Sequence, residues 1–258
     1  MVDYIRQLPK ALWEQIRPIF HKAYPNEAVV AVYGDTFVQL ENISPKPMFY
    51  FQLRPEDEAR ILTDKPDLLL HSHPHGKSDA SDEDSAQQIA TGINWGIVAV
   101  VGNAIGDVYS VAYPECWGDG LDILPLVGRS FKWGIRDCWT LARDYYRLEG
   151  FQLQNVPRAA DPAKYPQGHP QSDPFTYWPP KVGFKPVRPH ERKVGDFVVM
   201  NLRSSRPNHC AVYLGESRYL TQFTDRYSEE WQVKNEQSLI EQWSFEFYRL
   251  PERKRTSK

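Results

Sequence analysis

The apolar positions of this chain follow two rhythms. Over residues 1–20 the charged side chains Asp3, Arg6, Lys10, Glu14 and Arg17 recur among apolar ones at a helical interval, so an amphipathic helix is expected. Short, nearly continuous apolar runs come next. Ala28-Val29-Val30-Ala31-Val32-Tyr33, Leu68-Leu69-Leu70, residues 96–102 and residues 108–113 read as strands. The pattern then breaks at Pro114-Glu115-Cys116-Trp117-Gly118-Asp119-Gly120, which mixes turn residues with an aromatic. Residues 115–127 are therefore expected to link two domains, residues 1–114 and 128–258. In the second half, residues 138–147 have the period of an amphipathic helix, and residues 195–200 and 209–215 read as a strand hairpin. Between them, residues 154–192 hold Pro157, Pro162, Pro166, Pro170, Pro174, Pro179, Pro180, Pro186 and Pro189, which are not expected inside regular elements. Tyr165, Phe175, Tyr177 and Trp178 give this insertion aromatic surface to pack, so an ordered lid or partner-binding loop is expected.

Composition narrows the class without choosing the chemistry. At 258 residues, 41% hydrophobic and 25% charged, the chain has the balance of a folded globular protein, with room for two small cores. A formal net charge of −2 gives no reason to expect nucleic-acid binding, and the short basic tail Arg253-Lys254-Arg255 is expected to be solvated. No apolar run reaches the roughly 18 residues of a membrane span, so no membrane insertion is expected. The charged first segment is unlike a signal peptide, which implies a cytoplasmic setting. The odd set Cys116, Cys138 and Cys210 suits a reducing compartment. Cys210 is expected to be a core residue, and Cys116 has no assigned role.

Two constellations carry chemistry. His71-Ser72-His73-Pro74 follows the strand-like leucines, so His71 and His73 should project from one strand face. Ser81-Asp82-Glu83-Asp84 opens an expected helix, which places Ser81 and Asp84 on one turn. Two histidines and an aspartate would hold zinc and leave its fourth position for a water, whose pKa falls to roughly 7. Such a site also needs a general base and an oxyanion donor. Glu27, where a helix gives way to a strand, suits the first task, and the Ser81 hydroxyl suits the second. His75 is expected to be a loop residue. The set resembles the JAMM (JAB1/MPN) metalloproteases, which implies that Glu27 is the base, that His71, His73 and Asp84 ligate Zn2+, and that Ser81 stabilises the oxyanion.

The second constellation begins at Asp137-Cys138. Asp137 is a good N-cap, and the partial positive charge of a helix start favours a thiolate at Cys138. His209, which opens the second strand of the hairpin, is the expected base. Asp137-Cys138, Gly195-Asp196 and His209 followed by Val212-Tyr213-Leu214-Gly215 resemble the NlpC/P60 cysteine peptidases over residues 125–250. In that family a third polar residue, often a second histidine, orients the base from the next strand. Here the segment reads Tyr219-Leu220-Thr221-Gln222-Phe223, so the role falls to Gln222 or Thr221.

The two resemblances in this order are similar to phage tail-assembly proteins. They imply an α+β or α/β fold, with a mixed-sheet JAMM-type domain followed by a papain-like NlpC/P60 domain. They further imply zinc-dependent amide hydrolysis in the first domain and Cys-His hydrolysis of the peptidoglycan stem peptide in the second. The partners would be tail-tip and hub proteins, met in the host cytoplasm during assembly and at the virion tail tip. Two other readings belong to different classes: a non-catalytic assembly scaffold with relic sites, and a bacterial cell-wall hydrolase.

Overall fold

The structure, a computed structural model, describes residues 8–159, 161–166 and 168–251. The first seven residues of the expected N-terminal helix, and the basic tail, lie outside the described residues. The chain divides into two compact units, Met1–Ile123 and Leu124–Lys258.

In the first unit, helix α1 (Lys10–Ala23) turns Leu12, Trp13, Ile16 and Phe20 onto a sheet. Ile16 and Phe20 are fully buried, and each such burial contributes roughly 1.5–3 kcal/mol. The sheet comprises β1 (Val29–Tyr33), β2 (Thr36–Leu40), β3 (Leu68–His73), β4 (Trp95–Gly102), β5 (Val108–Val111) and β6 (Glu115–Trp117). Its order is β2-β1-β3-β4-β5, with β6 also paired to β4. Helix α2 (Pro55–Asp64) precedes β3, and α3 (Asp82–Thr91) connects β3 to β4, which run parallel while the other pairs are antiparallel. The sheet is therefore mixed, as expected.

Side-chain alternation sorts the two faces of this sheet. Val30, Val32, Leu68, Leu70, Val98 and Val100 form one cluster with α1. The intervening positions Leu69, His71 and His73 consequently belong to the opposite face.

The expected linker is corrected at its start. Glu115–Trp117 is strand β6, which pairs Trp117 with Trp95, Cys116 with Gly96 and Glu115 with Ile97. The cause is a vacant edge: β5 pairs only with Val100–Gly102 of the eight-residue β4, and the lower half of β4 would otherwise present unpaired backbone groups. Turn residues in the sequence masked a strand this short.

The second unit packs α4 (Cys138–Leu148) on an antiparallel sheet. Its strands are β7 (Lys185–Val187), β8 (Phe197–Met200), β9 (His209–Gly215), β10 (Arg218–Thr221), β11 (Glu229–Gln232) and β12 (Glu246–Arg249), in the order β11-β10-β9-β8-β12-β7. Leu141, Ala142 and Tyr146 of α4 meet Phe197, Val199, Val212 and Leu220 on one face. On the other, Val198, Met200, Ala211 and Tyr219 join Ile240 of α6 (Glu236–Gln242).

The proline-bearing insertion departs from expectation in a specific way. Pro174, Pro179 and Pro180 lie inside helix α5 (Pro174–Lys181). Pro174 takes the first helical position, where its missing N–H costs nothing, and the other two fall in the last turn. Their carbonyls still accept hydrogen bonds, from Phe184 to Pro179 and from Gly183 to Pro180. Pro186 sits in β7, a strand at the sheet's edge where a lost donor is tolerated. Val156 and Phe175 are buried in the core with α4, so the insertion is built into this unit. Among the described residues no helix is long and apolar enough to cross a membrane.

Candidate active sites

The antiparallel register builds the first site. Val29 pairs with His71, and Ser72 N–H donates to the Ala28 carbonyl while Ala28 N–H donates to Ser72 Oγ. Continuing this register brings Glu27 opposite His73. Ser72 was not singled out in the sequence, yet it is buried and ties the segment that carries Glu27 to the histidine strand. Its only sequence signal was its place between two histidines.

Helix α3 supplies the third candidate ligand. Ser81 is its N-cap: Ser81 Oγ accepts from Asp84 N–H at 3.0 Å, and Ser81 N–H donates to Asp84 Oδ2 at 2.8 Å. This reciprocal capping box fixes the carboxylate as the helix forms. Asp84 Oδ1 then lies 3.3 Å from His71 Nε2, Asp84 Oδ2 lies 3.4 Å from His73 Nε2, and the two Nε2 atoms are 3.0 Å apart.

These separations suit one metal ion. A tetrahedral zinc with ligand bonds of about 2.0–2.1 Å keeps its ligand atoms about 3.3 Å from one another. The three donor atoms all lie within 4.8 Å of each other, and two imidazoles with one carboxylate are a donor set that zinc accepts. His71 is fully buried against Phe51 and Trp95, and its Nδ1 has no hydrogen-bond partner among the described residues. His73 also hydrogen-bonds the Lys77 backbone.

The electrostatics follow from burial and proximity. Burial opposes charge on His73, but its hydrogen bond to Asp84 and the charges of Asp84 and Glu27 raise its pKa. Burial also opposes charge on Asp84. Its electrostatic interaction with His71 and hydrogen bonds from both histidines and Ser81 nonetheless hold its carboxyl far below the usual range. Glu27 behaves differently: burial pushes its carboxyl up to about 7, His73 pulls it down and Asp84 adds to the rise. A carboxyl poised there accepts and returns a proton readily near neutral pH. Glu27, His73, Ser81 and Asp84 share a cavity of about 480 Å³, whose walls include Phe49, Tyr50 and His75.

Glu27 predicts a pH dependence for the metal-free protein. Its unfolded value is 4.5 and its folded value about 7, so the stability tied to its protonated form is full below the first and lost as pH rises through the second. The loss is on the order of 3 kcal/mol. Glu27→Gln should therefore be more stable than wild type at pH 8 in chelator, and similar to it near pH 4. Urea denaturation at both pH values measures this, and parallel pH profiles for the two proteins would refute it.

Ser81 carries a second expectation. Ser81→Ala removes the cap of α3 and should cost about 1 kcal/mol of stability. Because Ser81 Oγ accepts from Asp84 N–H, its own hydroxyl proton can be donated elsewhere. If an oxyanion receives it, the same variant should lose about 10²–10³-fold in kcat. A melt and a rate assay separate the two effects, and an unchanged kcat would confine Ser81 to capping.

The second site sits at the start of α4. Asp137 caps the helix, with its side chain accepting from Thr140 N–H at 2.9 Å, and Cys138 is the first helical residue. The Cys138 thiol hydrogen-bonds Cys210 and His209. Its pKa is lowered, chiefly by the Cys210 hydrogen bond, against burial and the Asp137 charge, with His209 assisting. Cys210 is pushed well above the ordinary thiol value by burial and by Cys138. Cys210 lies in the core, as expected, and also touches the nucleophile candidate, which sequence alternation did not reveal.

Of the two alternatives for the third polar residue, the structure places Thr221 on the histidine: Thr221 Oγ1 is 2.6 Å from His209 Nε2. Gln222 is corrected. It follows the last residue of β10, and its Nε2 donates to the Arg129 carbonyl at 2.9 Å, so it props the loop before α4. With Nε2 engaged by Thr221, the ring nitrogen left for Cys138 is Nδ1. The His209 ring also stacks on Phe223, with centroids 4.9 Å apart and 9° between planes.

Residues 128–244 match the NlpC/P60 family. The chain is similar to tail tip assembly protein K of Escherichia phage lambda, 28% identical over 170 residues that cover 64% of this chain and 76% of that protein. It is also similar to tail tip assembly protein K of Escherichia phage N15, 29% identical over 202 residues, covering 74% and 75%. That share exceeds the second unit alone, so the likeness extends into the first. A solved NlpC/P60 family protein from Bacillus cereus ATCC 10987 aligns with 91% of this chain and 67% of that one, at 12% identity and a TM-score of 0.34. The chain is thus similar to the tail tip assembly K proteins of two phages, and its residues 128–244 match the NlpC/P60 family.

Proposed function

We propose that this chain is a phage tail-tip assembly protein with peptidase chemistry at two sites, one in each unit. The observation that carries this reading is the Cys138, His209 and Thr221 constellation at the start of α4, within an NlpC/P60 domain.

At the second site, a neutral His209 with its proton on Nε2 donates to Thr221 Oγ1 and keeps Nδ1 bare. Nδ1 takes the thiol proton, and the Cys138 thiolate so formed attacks the scissile carbonyl. The amides of the first turn of α4 favour the oxyanion, and His209 returns the proton to the leaving amine. Water, with His209 again as base, then hydrolyses the thioester. The substrate class is a peptide bond of the peptidoglycan stem.

At the first site, His71, His73 and Asp84 would hold zinc. When bound, the metal supplies Lewis-acid activation of water and of the scissile carbonyl. Glu27 takes the proton of the attacking water and passes it to the leaving nitrogen, and Ser81 donates to the oxyanion. A tail protein cleaved during maturation is the substrate class for this site, with other tail-tip and hub proteins as partners. The setting is the host cytoplasm during assembly, and afterwards the virion tail tip.

A second reading, an assembly scaffold without turnover, has one observation in its favour. Cys138 is only 5% exposed, and its thiol is engaged by Cys210. Incubation of the full chain with purified peptidoglycan, followed by mass spectrometry of released peptides, decides between them. New stem-peptide fragments support the peptidase reading, and none at any enzyme concentration supports the scaffold.

A further inference from the structure

The cap of α4 contains a conflict that one arginine resolves. Asp137 is fully buried, and Oδ1 accepts from Thr140 N–H and from Thr140 Oγ1–H, both at 2.9 Å. Oδ2 accepts from Gly134 N–H at 3.0 Å. These bonds fix the helix start that presents Cys138. The same carboxylate, however, is a negative charge beside the sulfur, and it disfavours the thiolate that the helix start is arranged to favour.

Arg158 reaches this carboxylate from the segment after α4. Its Nε donates to Asp137 Oδ2 at 3.0 Å, and its Nη2 lies 3.2 Å from Oδ1 and 2.9 Å from Oδ2. The guanidinium is held in turn. Nη1 donates to Asn155 Oδ1 at 3.1 Å and to the Val156 carbonyl at 2.6 Å, and Nη2 donates to Thr140 Oγ1 at 3.2 Å. Arg158 is 3% exposed, so this pair is screened little by water. The groups facing Cys138 are then Cys210, His209 and an Asp137 whose charge is already matched.

We propose that Arg158 is a positioning residue for the nucleophile: it locks the Asp137 carboxylate in its capping pose and cancels that charge next to Cys138 Sγ. The inference rests on the reading of Cys138 as nucleophile. It gives the proline-bearing insertion a task at the site, because Arg158, Asn155 and Val156 all lie in that segment.

The test is the pH dependence of Cys138 alkylation by iodoacetamide in the full chain, read by peptide mass mapping so that Cys116 and Cys210 are scored separately. Arg158→Met should move the midpoint upward by about one pH unit, which is about tenfold less thiolate at any pH below both midpoints. Arg158→Lys, which keeps the charge and loses the fork, should recover most of the shift. Asp137→Asn keeps an N-capping side chain without charge, and added to Arg158→Met it should bring the midpoint back to the wild-type value or below. A merely structural arginine would not be rescued by discharging its partner.

An unmoved midpoint in folded Arg158→Met, or no recovery in the double variant, overturns the proposal. Should circular dichroism show Arg158→Met to be unfolded, Asp137→Asn alone decides: a lowered midpoint supports the proposal and an unchanged one overturns it. Peptidoglycan hydrolysis that persists in Cys138→Ala would sink the nucleophile reading instead, and would leave the alkylation result to stand or fall by itself.

Discussion

Cys138→Ala is expected to abolish release of stem peptides from peptidoglycan, with a rate loss on the order of 10⁴-fold or more. Among the described residues of the second unit, Cys210 does not substitute for its sulfur, being fully buried with its thiol driven toward the protonated form. His209→Ala should lose a similar factor. The two changes together should cost little more than either alone, because nucleophile and base act as one unit. Thr221→Ala is a milder case, since it removes a hydrogen bond that orients a neutral ring and leaves the ring itself in place. Fragment release measured against enzyme concentration, with circular dichroism as a folding control, reads all four variants. Undiminished release from Cys138→Ala would place the chemistry elsewhere.

The second large effect concerns the first unit. Elemental analysis should find about one zinc per chain in wild type and none in His71→Ala/His73→Ala purified identically. Removing the metal also removes a ligand that binds only the folded state, a stabilisation of about 2.7 kcal/mol when free zinc exceeds its Kd a hundredfold. Chelation should therefore lower the melting temperature of the wild type by about 5 °C and leave the variant unmoved. Equal metal content and equal chelator response in both proteins would reduce His71, His73 and Asp84 to a hydrogen-bonded trio. The metal-free trio has its own stabilisation, since a charged His73 pairs with Asp84, so the melting of the variant without chelator must be compared as well.

What could be read from the sequence was whatever a local period or spacing encodes. Alternation along Leu68–His73 put His71 and His73 on one face, and the spacing of Ser81 and Asp84 announced a capping box. Asp137 likewise identified itself as a helix cap. Contacts between distant residues were not encoded in this way. Thr221 and Gln222 are both polar neighbours, and only the end of β10 determines that the first meets His209 while the second turns to Arg129. Arg158 was hidden because prolines made its segment look like a loop, whereas its side chain is buried at the start of α4. Strand β6 was hidden because three residues are too few to carry a period, and its existence depends on the bare half of β4.

That short strand also sets where the first unit can be cut from the chain for separate study. A fragment ending at Pro114 would strip the hydrogen-bonding partner from Trp95–Ile97 and expose the indole of Trp95, now 6.2 Å from that of Trp117. The result would be a flat, apolar sheet border inviting a second molecule to pair with it, which is the usual origin of insoluble recombinant fragments. Placing the boundary after Ile123 retains Glu115–Trp117, and with them a closed margin on the sheet that bears the histidines.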